Sequence, residues 1–108
     1  VMNIIGDVQG RDVIILDDMV DTAGTLTKAA DVLKAKGATS VMACCTHGVL
    51  SGPAYQRITD SALDELVITD TIPLKAEHDK ITVLTASEIT AKTISRIYTN
   101  ESIQSIFI

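Results

Sequence analysis

The feature that most constrains the fold is a run of four aliphatic residues, Val13 to Leu16, which lies between Asp12 and Asp17. The run lacks the alternation of apolar and polar residues that a half-exposed strand shows, so it predicts a central strand of a parallel sheet. A helical pattern follows at residues 24–36, with lysines near its end and Gly37 directly after it. A buried strand that leads into a helix is typical of α/β folds.

The rest of the chain continues this alternation. Further apolar runs predict strands at residues 40–47, 65–69 and 80–84. Residues 52–58 suggest a short helix or loop between the first two of these. Thr85 to Glu88 has the spacing of a capping box, which predicts a last helix with three isoleucines on its inner face, Ile89, Ile94 and Ile97. Strands that alternate with helices pair in parallel through right-handed crossovers, so residues 1–108 are expected to form one α/β unit.

Charge and composition exclude several classes of partner. The chain has 9 Lys and Arg against 14 Asp and Glu, and only three aromatic residues, so a nucleic-acid surface with basic clusters and stacking rings is not expected. No apolar run reaches the ~20 residues of a membrane span, and no secretory leader opens the chain. We therefore expect a cytoplasmic protein without membrane contact. The first residues, Val1 and Met2, suggest a piece of a longer protein.

The predicted loop after the first strand, Asp17 to Thr25, is the best candidate for a binding site, because ligands of parallel α/β sheets bind at the carboxyl ends of strands. Its second half, Thr22-Ala23-Gly24-Thr25, enters a helix N-terminus, where free backbone N–H groups and two hydroxyls suit a phosphate. Its first half carries Asp17, Asp18 and Asp21, which suit hydroxyl donors or a hard cation such as Mg²⁺. A sugar phosphate, with or without Mg²⁺, satisfies both halves.

Other interpretations of this segment compete with the sugar-phosphate site. The threonines could simply cap the helix while the aspartates form a solvated turn, since both residue types are ordinary caps. Three carboxylates within five residues repel one another, which counts against a plain turn. The P-loop and dinucleotide fingerprints are absent from the sequence. A phospho-accepting receiver domain would place its acidic pair on the first strand and would not need Thr-Ala-Gly-Thr.

The segment Val13 to Thr25 resembles the phosphoribosyl diphosphate-binding motif of type I phosphoribosyltransferase folds. Its form Asp-Asp-Met-Val-Asp-Thr-Ala-Gly-Thr is similar to that of the ribose-phosphate pyrophosphokinase family, also called phosphoribosyl diphosphate synthetases. The resemblance continues in four flanking segments, Met2–Val8, Thr46–Gly52, Val67–Pro73 and Asn100–Ile103, and so covers essentially the whole chain.

The resemblance implies a three-layer, doubly wound, mainly parallel sheet, and it implies that residues 1–108 are the C-terminal phosphoribosyltransferase-like domain of the family, truncated at its N-terminal side. It implies an enzyme of nucleotide biosynthesis that transfers diphosphate from ATP to C1 of ribose 5-phosphate with Mg²⁺, giving phosphoribosyl diphosphate and AMP. Asp17 and Asp18 would hold the ribose hydroxyls, directly or through Mg²⁺. Asp21 and the segment Thr22, Ala23, Gly24 and Thr25 would grip the 5-phosphate.

The resemblance also implies a regulatory ADP and phosphate site and a homo-oligomer, a hexamer in the full-length parent. The family's Ser-x-Ser-x-x-Phe segment is matched here by Ser102, Gln104 and Phe107, with Gln104 in place of the second serine. Family chains are much longer and carry the ATP site and a basic mobile loop elsewhere. We therefore expect this chain alone to bind weakly, to be inactive and to expose apolar surface. The alternatives are a base phosphoribosyltransferase and a non-catalytic regulatory subunit.

Overall fold

The computed structural model describes residues 4–107. Val1 to Asn3 and Ile108 lie outside the described residues, and with them the first two residues of the flanking segment Met2–Val8. Within the described residues, four strands and three helices follow one another. They are β1 (Asp12–Val20), α1 (Gly24–Ala35), β2 (Ser40–Gly48), α2 (Ala54–Asp60), β3 (Glu65–Thr69), β4 (Ile81–Leu84) and α3 (Ser87–Tyr98), and a 3₁₀ turn (Gln104–Ile106) comes last.

The strands form one parallel sheet in the order β1-β2-β3-β4. The register pairs Asp12 with Ser40 at one end of β1 and Val20 with Gly48 at the other. The predicted α/β architecture is therefore confirmed, together with the four predicted strands and the helix after β1. The segment predicted as a short helix or loop forms α2. Within residues 4–107 no helix is long and apolar enough to cross a bilayer.

One face of the sheet packs against α1 and α2 and forms the core. In β2 the buried residues alternate along the strand, which is the pattern of a strand with one covered face. The side chains facing the helices are Val41, Ala43, Cys45, Leu66 and Ile68, and the helices contribute Leu26, Ala30, Ala54 and Ile58. α1 ends at the predicted position, because Gly37 has a φ of +98° and donates its N–H to Lys34.

The expectation that β1 is a central strand is wrong for this chain. β1 lies at the edge of the sheet, and Ile14 and Leu16 are 59% and 78% exposed. The physical reason is that Ile14 and Leu16 point to the face that α1 and α2 do not cover, whereas Val13 and Ile15 point to the core and are half-buried. An unalternating apolar run thus marks two apolar faces, of which the structure covers one.

The predicted inner face of α3 is also exposed in the part of the chain that the structure describes. Ile89, Ile94 and Ile97 are all exposed, and α3 packs mainly against the 3₁₀ turn rather than against the sheet. The molecule is accordingly elongated, with a Cα radius of gyration of 16.4 Å, against about 13 Å for a compact domain of this length. The expected exposure of apolar surface is confirmed at these residues.

The predicted capping box does not form. α3 begins at Ser87 with Ala86 as its N-cap and no side-chain cap. The Thr85 hydroxyl instead accepts the N–H of Ser87, two residues on (3.1 Å). The Asp70 carboxylate, in the loop after β3, accepts a hydrogen bond from the N–H of Ala86 (2.8 Å). A contact from another part of the chain has therefore replaced the local motif.

Candidate functional site

A cleft of about 290 Å³ lies at the carboxyl end of β1, at the position that the sequence predicted. Its walls are the last part of β1, the connection to α1 and the first turn of α1. The lining residues are Asp17, Met19, Val20, Asp21, Thr22, Ala23, Gly24, Thr25 and Leu26. The cleft thus brings together six of the seven predicted sugar-phosphate residues, and Asp18 is the exception.

Asp17 and Asp18 lie in β1. The sequence had predicted that they belong to a loop. β1 continues to Val20 because Met19 and Val20 pair with the end of β2. Successive residues of a strand point to opposite faces, so the two carboxylates diverge. Asp17 lines the cleft and accepts the backbone N–H of Asp18 at 2.8 Å. Asp18 lies outside the residues that line it.

Asp21 is held in place by the loop that follows β2. The N–H of Ser51 donates to the Asp21 carbonyl at 2.9 Å, and the Ser51 hydroxyl donates to the Asp21 carboxylate. One residue earlier, the Val20 carbonyl accepts the N–H groups of Val49 and Leu50 at 3.0 and 3.1 Å. Sequence reasoning missed Ser51. The available signal was its place just after β2, because the carboxyl ends of neighbouring parallel strands meet at one edge.

The N-terminus of α1 is not capped by any side chain. Its N-cap is Ala23, and the first hydrogen bond of the helix is the one from the Thr27 N–H to the Ala23 carbonyl (3.0 Å). The backbone N–H groups of the first turn therefore have no partner within the helix. Thr22 and Thr25 do not act as caps, so the interpretation of this segment as an ordinary capped helix start is not supported.

Two residues beside the cleft have strained backbones. Ala23 has a φ of 62° and Leu50 a φ of 50°, and both are almost fully buried. The left-handed region costs a residue with a Cβ about 1–2 kcal/mol. Ala23 precedes α1, and Leu50 lies in the loop that holds Val20 and Asp21. Strain of this kind accumulates where a functional geometry is imposed by the surrounding structure.

A basic side chain from α2 contacts the segment Thr22–Thr25, although it does not line the cleft. Arg57 of α2 donates from Nη1 to the Thr22 carbonyl at 3.1 Å.

The carboxylates dominate the other end of the cleft. Burial is the main cause of the raised pKa of the Cys45 thiol, and the negative charges of Asp17 and Asp18 raise it further.

The donors at the cleft suit Mg²⁺ only together with a ligand. Within residues 4–107 no group of three or more His, Cys, Asp or Glu side chains is placed to hold a metal ion. Asp17 and Asp21 do line the same cleft. Mg²⁺ is commonly bound by one or two carboxylates with water and substrate oxygens completing its octahedron, so the Asp17 carboxylate is compatible with an ion that a bound ligand also holds, whereas the Asp21 carboxylate is already engaged by Ser51.

The predicted regulatory residues lie in the segment after α3. The Ser102 hydroxyl accepts the N–H of Gln104 at 3.2 Å, and Phe107 is 66% exposed. Arg96 donates to the Ser102 carbonyl at 3.1 Å and to the Ser105 hydroxyl. The nearby cleft is lined by Arg96 and Ser105 among others, and none of the three predicted residues lines it.

Comparison with known proteins gives a consistent result. Residues 1–108 match the family described as "Phosphoribosyl synthetase-associated domain". The chain is 61% identical over 108 residues to the ribose-phosphate pyrophosphokinase of Campylobacter jejuni, covering 100% of this chain and 35% of that protein. It is 62% identical over 107 residues to the one from Helicobacter hepaticus, covering 99% and 35%.

A crystal structure of phosphoribosylpyrophosphate synthetase from Mycobacterium smegmatis has a similar fold. The TM-score is 0.85 at 39% identity, and the match covers 89% of this chain and 33% of that one. The chain therefore spans about a third of the length of the relatives that it matches.

Proposed function

The chain belongs to the ribose-phosphate pyrophosphokinase family, and from this premise we propose that the cleft at the end of β1 binds ribose 5-phosphate. The observation that carries the proposal is the uncapped N-terminus of α1, whose free N–H groups meet a cleft bordered by carboxylates. Backbone N–H groups and a helix dipole attract a phosphate, whereas carboxylates accept hydrogen bonds from hydroxyls. A phosphorylated sugar carries both groups at opposite ends.

Each predicted residue receives a role in this proposal. Thr22, Ala23, Gly24 and Thr25 surround the 5-phosphate with N–H and hydroxyl groups. Asp17 accepts hydrogen bonds from the ribose hydroxyls, or holds Mg²⁺ that bridges to them, and Asp21 orders the loop through Ser51. Asp18 points to the opposite face of β1, so its role in ribose or Mg²⁺ binding needs another part of the protein to meet it there.

For the whole protein we propose diphosphoryl transfer from ATP to the C1 hydroxyl of ribose 5-phosphate. A bond forms between the C1 oxygen and the β-phosphorus, the bond from the α,β-bridging oxygen to the β-phosphorus breaks, AMP leaves, and the C1 hydroxyl loses its proton. Mg²⁺, when bound, neutralises charge on the transferring phosphates. Among the described residues, none that line the cleft is basic, and such transfer depends on positioned cations. The chain alone is therefore expected to bind without catalysing.

We propose three further properties of the whole protein. They are a regulatory nucleotide and phosphate site at Ser102, Gln104 and Phe107, assembly into a hexamer, and a cytoplasmic location. The segment that carries these residues is exposed, and the Phe107 ring is not buried against any of the described residues. Such exposure suits a site that a second subunit completes.

Binding is tested by isothermal titration of ribose 5-phosphate into the chain and into Asp21→Ala. The variant is expected to bind about tenfold more weakly, because Ser51 loses its charged acceptor and the loop loosens. Asp79→Ala is the matched control, since it removes an equal charge from an exposed residue outside the cleft. Equal affinity of wild type and Asp21→Ala would refute the assignment, as would equal binding of ribose without a phosphate.

Catalysis is tested in a chimera in which this chain replaces the matched 108 residues of the Campylobacter jejuni enzyme. Formation of phosphoribosyl diphosphate from ATP and ribose 5-phosphate is expected in the chimera and not with the chain alone. An inactive but folded chimera would favour a non-catalytic, regulatory parent instead. Formation of phosphoribosyl diphosphate by the chain alone would contradict the proposal that it binds ribose 5-phosphate without catalysing the transfer.

A further inference from the structure

Arg57 contacts the segment Thr22–Thr25 between β1 and α1 without lining the cleft. It belongs to α2, whose Ala54 and Ile58 are fully buried, so its backbone is firmly anchored. Its Nη1 donates to the carbonyl of Thr22 across 35 residues of sequence. Arg57 does not line the cleft and instead lines a second groove together with Lys28. The guanidinium therefore contacts the loop without occupying the position that a ligand in the cleft would take.

Gly24 makes this approach possible. A Cβ added at Gly24 would lie 3.0 Å from Nη1 of Arg57 and 3.6 Å from its Cζ. Its φ is not in the left-handed region, so the position does not need glycine for its backbone conformation. A side chain at position 24 would therefore crowd the guanidinium in the place from which it donates to Thr22.

The contact determines which way the loop's polar groups point. In a trans peptide the carbonyl of one residue and the N–H of the next point in opposite directions. With the Thr22 carbonyl turned to Arg57, which does not line the cleft, the N–H of Ala23 points away from Arg57, and Thr22 and Ala23 themselves line the cleft. A Thr22 carbonyl turned into the cleft would repel a phosphate. Hydrogen bonding to a cation also polarises the peptide and strengthens its N–H as a donor.

We propose that Arg57 is a positioning residue for phosphate binding, which holds the Thr22–Ala23 peptide so that its N–H, and not its carbonyl, faces the ligand's phosphate. The proposal rests on the proposed function, because it concerns the same cleft and the same ligand. It assigns a role in binding to a residue of α2 that makes no contact with the ligand.

The test is the kinetics of Arg57→Met in the chimera described above. The variant keeps the length of the side chain but removes the charge and the donor. The KM for ribose 5-phosphate is expected to rise about tenfold, the scale of losing a hydrogen bond to a charged group. The KM for ATP is expected to stay unchanged, and Arg57→Lys should restore part of the loss because an ammonium can donate to the same carbonyl.

The matched control is Lys28→Met, which removes an equal charge from the same groove. It is expected to change the KM for ribose 5-phosphate less than twofold. Equal KM values for wild type and Arg57→Met would overturn the proposal, and so would an equal effect of Lys28→Met, which would indicate general electrostatics. If the unmodified chimera and chain fail to bind ribose 5-phosphate, the proposed function itself fails, and this outcome is distinct from a failure of the Arg57 variant alone.

Discussion

Replacing Gly48 with alanine is expected to destabilise the fold by about 2 kcal/mol and to weaken ribose 5-phosphate binding. Gly48 is the last residue of β2 and is buried. A Cβ at this position would lie 2.8 Å from Cδ1 and 3.1 Å from Cγ2 of Ile68. Ile68 is only 1% exposed and cannot move aside without disturbing the core. Insertion of an extra carbon into such a well-packed core costs about 1–3 kcal/mol.

The functional effect follows from the position of Gly48 in the chain. The next three residues, Val49 to Ser51, donate their N–H groups to Val20 and Asp21 beside the cleft. A displacement of the end of β2 therefore reaches the loop that orders Asp21. The affinity for ribose 5-phosphate should fall together with the stability, whereas a clash far from the cleft would lower the stability alone.

A double-mutant cycle with Ile68→Val identifies the cause. The shorter valine side chain lacks Cδ1, the atom nearest to the added Cβ, and this substitution on its own should cost about 1 kcal/mol. In the Ile68→Val background the cost of Gly48→Ala should fall below about 1 kcal/mol, which gives a coupling of about 1 kcal/mol. Urea unfolding followed by far-UV circular dichroism is the appropriate assay, because the chain contains no tryptophan. Additive costs would refute the steric explanation.

Three further predictions concern other contacts. Lys80→Met should lower the free energy of unfolding by about 1 kcal/mol, because Lys80 Nζ donates to three carbonyls at the end of α2; unchanged urea midpoints would contradict this. The N–H of Val41 and then the ammonium of Lys34 lower the pKa of Asp64, so Asp64→Asn should destabilise the fold at pH 7. The difference between the urea midpoints of the two proteins should begin to shrink as the pH falls below about 4 and should be lost only once the pH passes below the lowered pKa of Asp64; a difference that does not depend on pH would contradict this. Iodoacetamide should modify Cys44 before Cys45, since burial raises the pKa of the Cys45 thiol. Peptide mass spectrometry measures the two alkylation rates, and equal rates would contradict the prediction.

The sequence was sufficient for those features that depend on neighbouring residues. Apolar runs identified all four strands, and Gly37 marked the end of α1, because these signals are local. The loop after β1 was predicted to begin at Asp17, since two charged residues normally begin a loop. Its extension to Val20 depends on pairing with β2, where Met19 faces His47. Register with another strand is not visible in the β1 sequence itself.

The contacts that Ser51 and Arg57 make beside the cleft could not be predicted from a motif. Ser51 contacts Asp21 across 30 residues, and Arg57 contacts Thr22 across 35. Ser51 lies in the flanking segment Thr46–Gly52, but a resemblance in sequence does not show which residue a side chain contacts, and Arg57 lies outside the four flanking segments. The edge position of β1 was missed for a related reason, since an apolar run records which faces are apolar and not which neighbour covers them.

The uncapped N-terminus of α1 has a physical explanation in these long-range contacts. Asp21 is two residues before the N-cap, and a carboxylate so near a helix start would normally bind its free N–H groups. Hydrogen bonds from Ser51 instead hold the carboxylate and carbonyl of Asp21. Ala23, with a φ of 62°, occupies the N-cap position and has no polar side chain to offer. Because the nearest internal carboxylate is engaged by Ser51, no side chain caps the N–H groups of the first turn of α1, which are the groups that the proposed phosphate would meet.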